Sequence, residues 1–146
     1  MENLSPLNAS SEERIRFFSG AVTYRNTFTV ETLDTSHRMI LDRGEVREIA
    51  DVFIHGVLLG TAWSRPFRID ITKAVHTGTN TIQIEVVNTI NNRLDGDTKL
   101  PPEYRRTSSN VKKLPNAWRE PFADAPLLKS GLIGPVRIHV VERLAQ

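Results

Sequence analysis

The residues best equipped for chemistry gather in the second half of the chain. Asp95, Asp97, Glu103, Glu120 and Asp124 place five carboxylates in the 40-residue stretch from Asn88 to Leu127. A pair of carboxyl groups roughly 5–9.5 Å apart is what hydrolysis of a glycosidic bond ordinarily needs. One protonates the leaving oxygen while the other serves as nucleophile or base. Sugar recognition needs different groups, namely apolar faces to stack on and planar polar groups to pair with hydroxyls. Trp63 and Trp118 supply the faces; Arg65, Asn91, Asn92, Arg93, Asp95, Asp97, Arg119 and Asp124 supply the planar groups. These ten side chains are the candidate ligand-binding set. A plainer reading stands beside each. Trp63 can cover a sheet edge, Trp118 can anchor its proline-rich surroundings, and Asn92, Arg93 and Asp97 can form a buried network that holds the segment. The carboxylates can equally solvate the segment or pair with its lysines and arginines.

Other chemistries are poorly supplied. The chain has no cysteine, which removes thiolate zinc sites, cysteine nucleophiles and disulfides together. His37, His55, His76 and His139 show no paired ligand spacing. Asp95-Gly96-Asp97 matches a fragment of a calcium loop but lacks the third oxygen-bearing position and the distal Glu. With 19 Lys and Arg against 17 Asp and Glu, the net charge is only +2. The basic pairs Arg105-Arg106 and Lys112-Lys113 form no clustered face, so a nucleic-acid partner is not expected. No apolar run reaches the 18 residues of a membrane-spanning helix, and no membrane partner is expected. Met1 to Ser11 is polar and carries no secretory signal.

Positioning these groups falls to strands. Period-two alternation runs through Val22, Tyr24, Phe28 and Val30, through Phe67, Ile69 and Ile71, through Ile82, Ile84 and Val86, and through Val136, Ile138 and Val140. Weaker strands fit near Met39 to Leu41 and Ile49 to Ile54. His55-Gly56 separates two apolar runs and reads as a tight hairpin turn, which needs positive φ. Thr77 to Asn80 introduces a strand at Thr81. No segment sustains a helical period, and Ile71 to Val75 allows one turn at most. Six or more short strands without helices predict an all-β, antiparallel two-sheet sandwich. The stretch from 88 to 127, with five of the eight prolines, breaks the pattern and is expected to be one long irregular loop.

Several strings then read together: Phe18-Ser19-Gly20, Ile49 to Gly56, Pro66 to Thr72, Gly78 to Ile82, Asn92 to Asp97, and Leu127 to Val136. In this order they resemble the galactose-binding-like jelly-roll domain of glycoside hydrolase family 2. The likeness is closer still to the carboxy-terminal β-sandwich of the family 106 α-L-rhamnosidases, with their FSG start, N-R-L-x-G-D string and LLxSGLxGPV ending. It covers about residues 15 to 141. Three positions depart from the pattern: His55 stands for a common Asn, Ile90 for a common Trp, and Leu7 for an aromatic.

The resemblance implies a jelly-roll sandwich over residues 15–146, preceded by an extension over 1–14. It implies that catalytic carboxylates sit on a separate (β/α)₈ barrel, which 146 residues cannot hold beside this sandwich. The expected function is therefore a non-catalytic accessory domain of a rhamnosidase-like glycoside hydrolase, with a glycan and the catalytic barrel as partners. An autonomous, lectin-like carbohydrate-binding module and a purely structural domain packed on the barrel are the alternatives. No cofactor is expected, although the resemblance allows a structural calcium ion. It also implies that the segment from Asp124 to Lys129 lies near the parent's active site, and that the parent is secreted or periplasmic.

Overall fold

Three antiparallel sheets follow from the alternating runs. The computed structural model describes residues 1, 3–62, 64–108 and 126–143, with the side chain of Ala62 left aside. Strands β1 (Gly20–Val30), β4 (Ile49–Ile54), β5 (Val57–Ala62) and β7 (Gly78–Asn88) make a four-stranded sheet in the order β1-β7-β4-β5. Strands β2 (His37–Asp42), β6 (Arg68–Asp70) and β9 (Arg137–Glu142) make a three-stranded sheet in the order β6-β2-β9. Short β3 (Glu45–Arg47) pairs with β8 (Gly131–Gly134). The expected sandwich is what forms.

Its core shows why these residues alternate. Ile82, Ile84 and Val86 of β7 and Ala50, Val52 and Ile54 of β4 point inward and are buried. They meet Leu41 of β2, Ile71 just after β6, and Val46 and Leu132 of the β3–β8 pair. Full burial of each large aliphatic side chain stabilises by about 1.5–3 kcal/mol. The outward residues between them are mostly polar, such as Thr23, which donates to Glu85, and Arg25, which donates to Gln83 across the β1–β7 ladder.

The His55-Gly56 turn joins β4 to β5 with φ of +52° and +79°, the two positive values a type I′ hairpin demands. Histidine tolerates the first position because its ring is fixed. His55 Nε2–H donates to Asn80 Oδ1 at 2.9 Å, and the ring stacks on His76 with centroids 4.5 Å apart. Asn80 is fully buried and also bonds the backbone of His76 and Gly78.

Four expectations change. First, β7 starts at Gly78, three residues before Thr81. Second, β6 is only three residues long, although Ile71 beyond it is fully buried as its spacing predicts. Third, Val140 is exposed, because β9 is the outer strand of its sheet and its second half has no apolar cover among the described residues. The last change bears on the site. A one-turn helix, α1 (Glu13–Arg16), precedes β1, and Asn91–Thr98 forms a second helix, α2, inside the expected loop, with a 3-10 turn following at Pro102–Tyr104. Leu94 is the one large apolar residue of α2, so no amphipathic period announces it.

Candidate functional site

Backbone register fixes which groups share an end of the sandwich. β7 finishes at Asn88 opposite Gly20, β4 begins at Ile49 opposite Val87, and β5 finishes at Ala62 opposite Ala50. The segment after β7 and the segment after β5 therefore leave from the same end. α2 occupies this end, and Arg65 lies in the connection that follows β5.

Polar tertiary contacts hold α2 where an apolar face would hold an ordinary helix. The Asn92 amide pairs with a backbone as a neighbouring strand would: Leu128 N–H donates to its Oδ1 at 2.8 Å, and its Nδ2 donates to Leu128 O at 2.7 Å. Four residues earlier, Asn88 Oδ1 accepts the Gly131 N–H at 2.6 Å while its Nδ2 donates to Gly20 O. Tyr24 Oη accepts the Leu132 N–H at 3.1 Å, and the Leu7 N–H donates to Ser130 O. The Ser130-Gly131-Leu132 string is thus a hub that ties β1, β7, α2 and the amino-terminal segment together. Gly131 is required there. Its φ is +86°, and a Cβ would lie 2.6 Å from the Tyr24 hydroxyl and 2.8 Å from Leu7 Cγ.

Asp97 closes the other side of α2. It is 1% exposed. Its Oδ2 accepts the Arg106 N–H, the Thr107 N–H and the Thr107 hydroxyl at 3.0, 2.7 and 2.6 Å, and its Oδ1 accepts from Arg93 Nη2 at 2.5 Å. Burial pushes this carboxyl up, but the Thr107 hydroxyl and amide, Arg93 and the Arg106 amide outweigh it and hold it below the usual carboxylate range. Asp95 is buried as well, with Oδ2 bonded to Lys99 Nζ at 2.7 Å. Phe17 packs so close to the helix that a Cβ on Gly96 would overlap its ring.

Among the sequence-derived candidates, the structure brings Asn91, Asn92, Arg93, Asp95 and Asp97 together on α2. Asn92, Asp95 and Asp97 are turned inward, Arg93 is half-buried against Asp97, and Asn91 is exposed. Arg65 lines a separate open cleft of about 560 Å³ at the same end, with Asp42, Glu45, Pro66, Phe67 and Arg68. Trp63, Trp118, Arg119 and Asp124 lie outside the described residues.

Sequence reasoning missed the charged frame of that cleft. Arg68 Nε donates to Asp42 Oδ2 at 2.8 Å, and Glu45 sits 3.0 Å from Arg47 and 3.8 Å from Lys129. The Arg47 hydrogen bond, with Lys129 and Arg65 nearby, holds the Glu45 carboxyl below its ordinary value. Neighbouring Lys129 and Leu128 link the cleft to α2 through Asn92. The only available signal was the position of these residues at strand ends. Among the described residues, no three His, Asp or Glu side chains are placed to hold a metal ion. Asp95 and Asp97 already face Lys99 and Arg93, so together they make no calcium cage.

Comparison with known proteins agrees with this architecture. Residues 4–121 match the family described as glycosyl hydrolase 2 galactose-binding domain-like. A protein of Formosa agariphila to which β-glucuronidase activity is assigned is 36% identical over 158 aligned positions, 96% of this chain and 14% of that protein. The structure of a rhamnosidase from Novosphingobium sp. PP1Y is 40% identical with a TM-score of 0.73, over 92% of this chain and 12% of the rhamnosidase. A β-D-glucuronidase from Dictyoglomus thermophilum shares the fold at 22% identity and a TM-score of 0.53, over 61% of this chain and 16% of its own. The chain therefore spans less than a fifth of the length of each.

Proposed function

The chain belongs to the glycosyl hydrolase 2 galactose-binding domain-like family, and on that premise we propose that it is an accessory glycan-contacting domain of a larger glycoside hydrolase. One observation carries this reading. Nearly the whole chain corresponds to a 12–14% portion of a rhamnosidase and of an assigned β-glucuronidase. A domain of that share leaves the bulk of such an enzyme for the bond-breaking machinery.

In this reading the α2 end faces the glycan. Arg65 in its charged cleft, the exposed amide of Asn91, Arg119 and Asp124 contact hydroxyls, while Trp63 and Trp118 supply stacking faces. Asn92, Arg93, Asp95 and Asp97 act from behind, holding α2 and the 128–131 segment in place. The substrate is a rhamnose-containing acidic plant polysaccharide, and the second partner is the catalytic domain of the same enzyme. An apolar row supports that docking. Ala21, Val87 and Ile49 are register neighbours on the outer face of the four-stranded sheet, and all three are exposed.

Calorimetric titration of the chain with rhamnogalacturonan oligosaccharides tests the reading. Binding that weakens at least tenfold in Arg65→Ala supports it. Release of nitrophenol from aryl rhamnosides or aryl glucuronides by this chain alone would overturn it.

A further inference from the structure

The opposite end of the sandwich carries a second cleft, of about 540 Å³, within the roughly 300–1,000 Å³ of ligand pockets. There β4 reaches Ile54 and turns through His55-Gly56, while Arg143 follows β9 with its N–H on Ser36 O at 2.7 Å. Ile54, Val57, Leu59 and Ala74 form an apolar wall, and Lys73 and Arg143 stand on the rim.

The charges at this cleft do not balance. Neither Lys73 nor Arg143 has an ion-pair partner among the described residues. Asp70 also lines the cleft, but its carboxylate is already engaged. It accepts from Arg38 at 2.9 and 2.7 Å and from the Thr72 hydroxyl and amide at 2.5 and 2.9 Å. Asp34, on the approach to β2, is bonded to Ser36 and His37. Two cations beside an apolar wall remain, with the His55 ring held rigidly between Asn80 and His76 at the edge.

We propose that this cleft binds a sugar unit bearing an anionic group, either a uronate carboxylate or a sulfate ester. The anion lies between Lys73 and Arg143, and the C–H face of the ring packs on Val57, Leu59 and Ala74. Charge-assisted hydrogen bonds to both cations supply the selection against neutral sugars. The proposal rests on the glycan-contacting reading and adds to it a second subsite and an anionic specificity.

The test is an NMR titration of the isotope-labelled chain with digalacturonate, galactose 6-sulfate, galactose and inorganic sulfate. Either anionic sugar should shift the amide signals of residues 54–59 and 72–74, while galactose and inorganic sulfate leave them in place. Shifts with digalacturonate alone identify the carboxylate as the ligand group, and shifts with the sulfated sugar alone identify the sulfate ester. Lys73→Ala and Arg143→Ala should each weaken binding about tenfold, or 1.4 kcal/mol, with unchanged thermal melts because both side chains are exposed. No shift with either anionic sugar, equal shifts with galactose or with inorganic sulfate, or full binding by the double variant would overturn the proposal. The two ends report separately. Loss of the shifts at residues 54–59 and 72–74 refutes this cleft alone, whereas the parent reading fails only if rhamnogalacturonan oligosaccharides leave the α2 end unmoved.

Discussion

Replacing Asp97 by Asn is the sharpest probe of how this fold builds its functional end. The carboxylate accepts four hydrogen bonds, three on Oδ2 and one on Oδ1. An amide of the same shape must turn its NH₂ either toward Arg93 or toward the Arg106 and Thr107 donors, so donor faces donor in both orientations. Either orientation leaves a donor at this buried site without its acceptor and half-buried Arg93 without its counter-charge, which costs about 3 kcal/mol. At about 2–4 °C per kcal/mol for a chain of this size, the melting temperature should fall by roughly 10 °C. The pH dependence adds a second readout. Asp97 titrates lower in the folded chain than in the unfolded one, so its contribution is complete above the unfolded carboxylate pKa of about 4 and is lost as pH falls through the folded value. The variant should therefore lose less stability on acidification than the wild type. Urea melts followed by circular dichroism between pH 7 and pH 3 provide the measurement. A loss below about 1 kcal/mol at pH 7, or an unchanged acid slope, would refute the assignment of Asp97 as the clasp of α2.

Two further substitutions probe the same hub. Gly131→Ala places a methyl group against the Tyr24 hydroxyl in a left-handed backbone conformation, and should destabilise by about 3 kcal/mol in the same melts. Asn92→Ala leaves the Leu128 N–H and C=O without their side-chain partner, and should cost about 1–3 kcal/mol while speeding exchange of the Leu128 amide.

The strands were legible because one buried face and one wet face leave a period of two in the sequence. Ile82, Ile84 and Val86 alternate with polar residues because β7 has the core on one side and water on the other. The edges were less legible. Val140 has the right spacing for burial but sits on an outer strand, and spacing carries no information about what lies opposite. α2 was hidden for a different reason. Its eight residues include two Asn, two Asp and a Gly, all poor helix formers. The contacts that compensate come from Leu128, Arg106 and Thr107, none of which a local window contains. Arg43 was hidden in the same way. It is 1% exposed, with Nε on Phe67 O and Nη1 on Ala50 O, partners that sheet packing supplies and that its sequence neighbours do not. For the candidate site, the sequence singled out the α2 residues and Arg65. It left open which of them contact ligand and which hold the fold. Burial favours a holding role for Asn92, Asp95 and Asp97, while exposure keeps Asn91 and Arg65 available.

The proposed contact between the α2 end of this domain and sugar hydroxyls can be read residue by residue. Amide chemical-shift mapping with a rhamnose-containing oligosaccharide tests it most directly. Shifts should concentrate at Arg65, Arg68, Asn91 and Lys129 and be lost in Arg65→Ala. A well-dispersed spectrum that stays unmoved at those four residues under saturating oligosaccharide would contradict it.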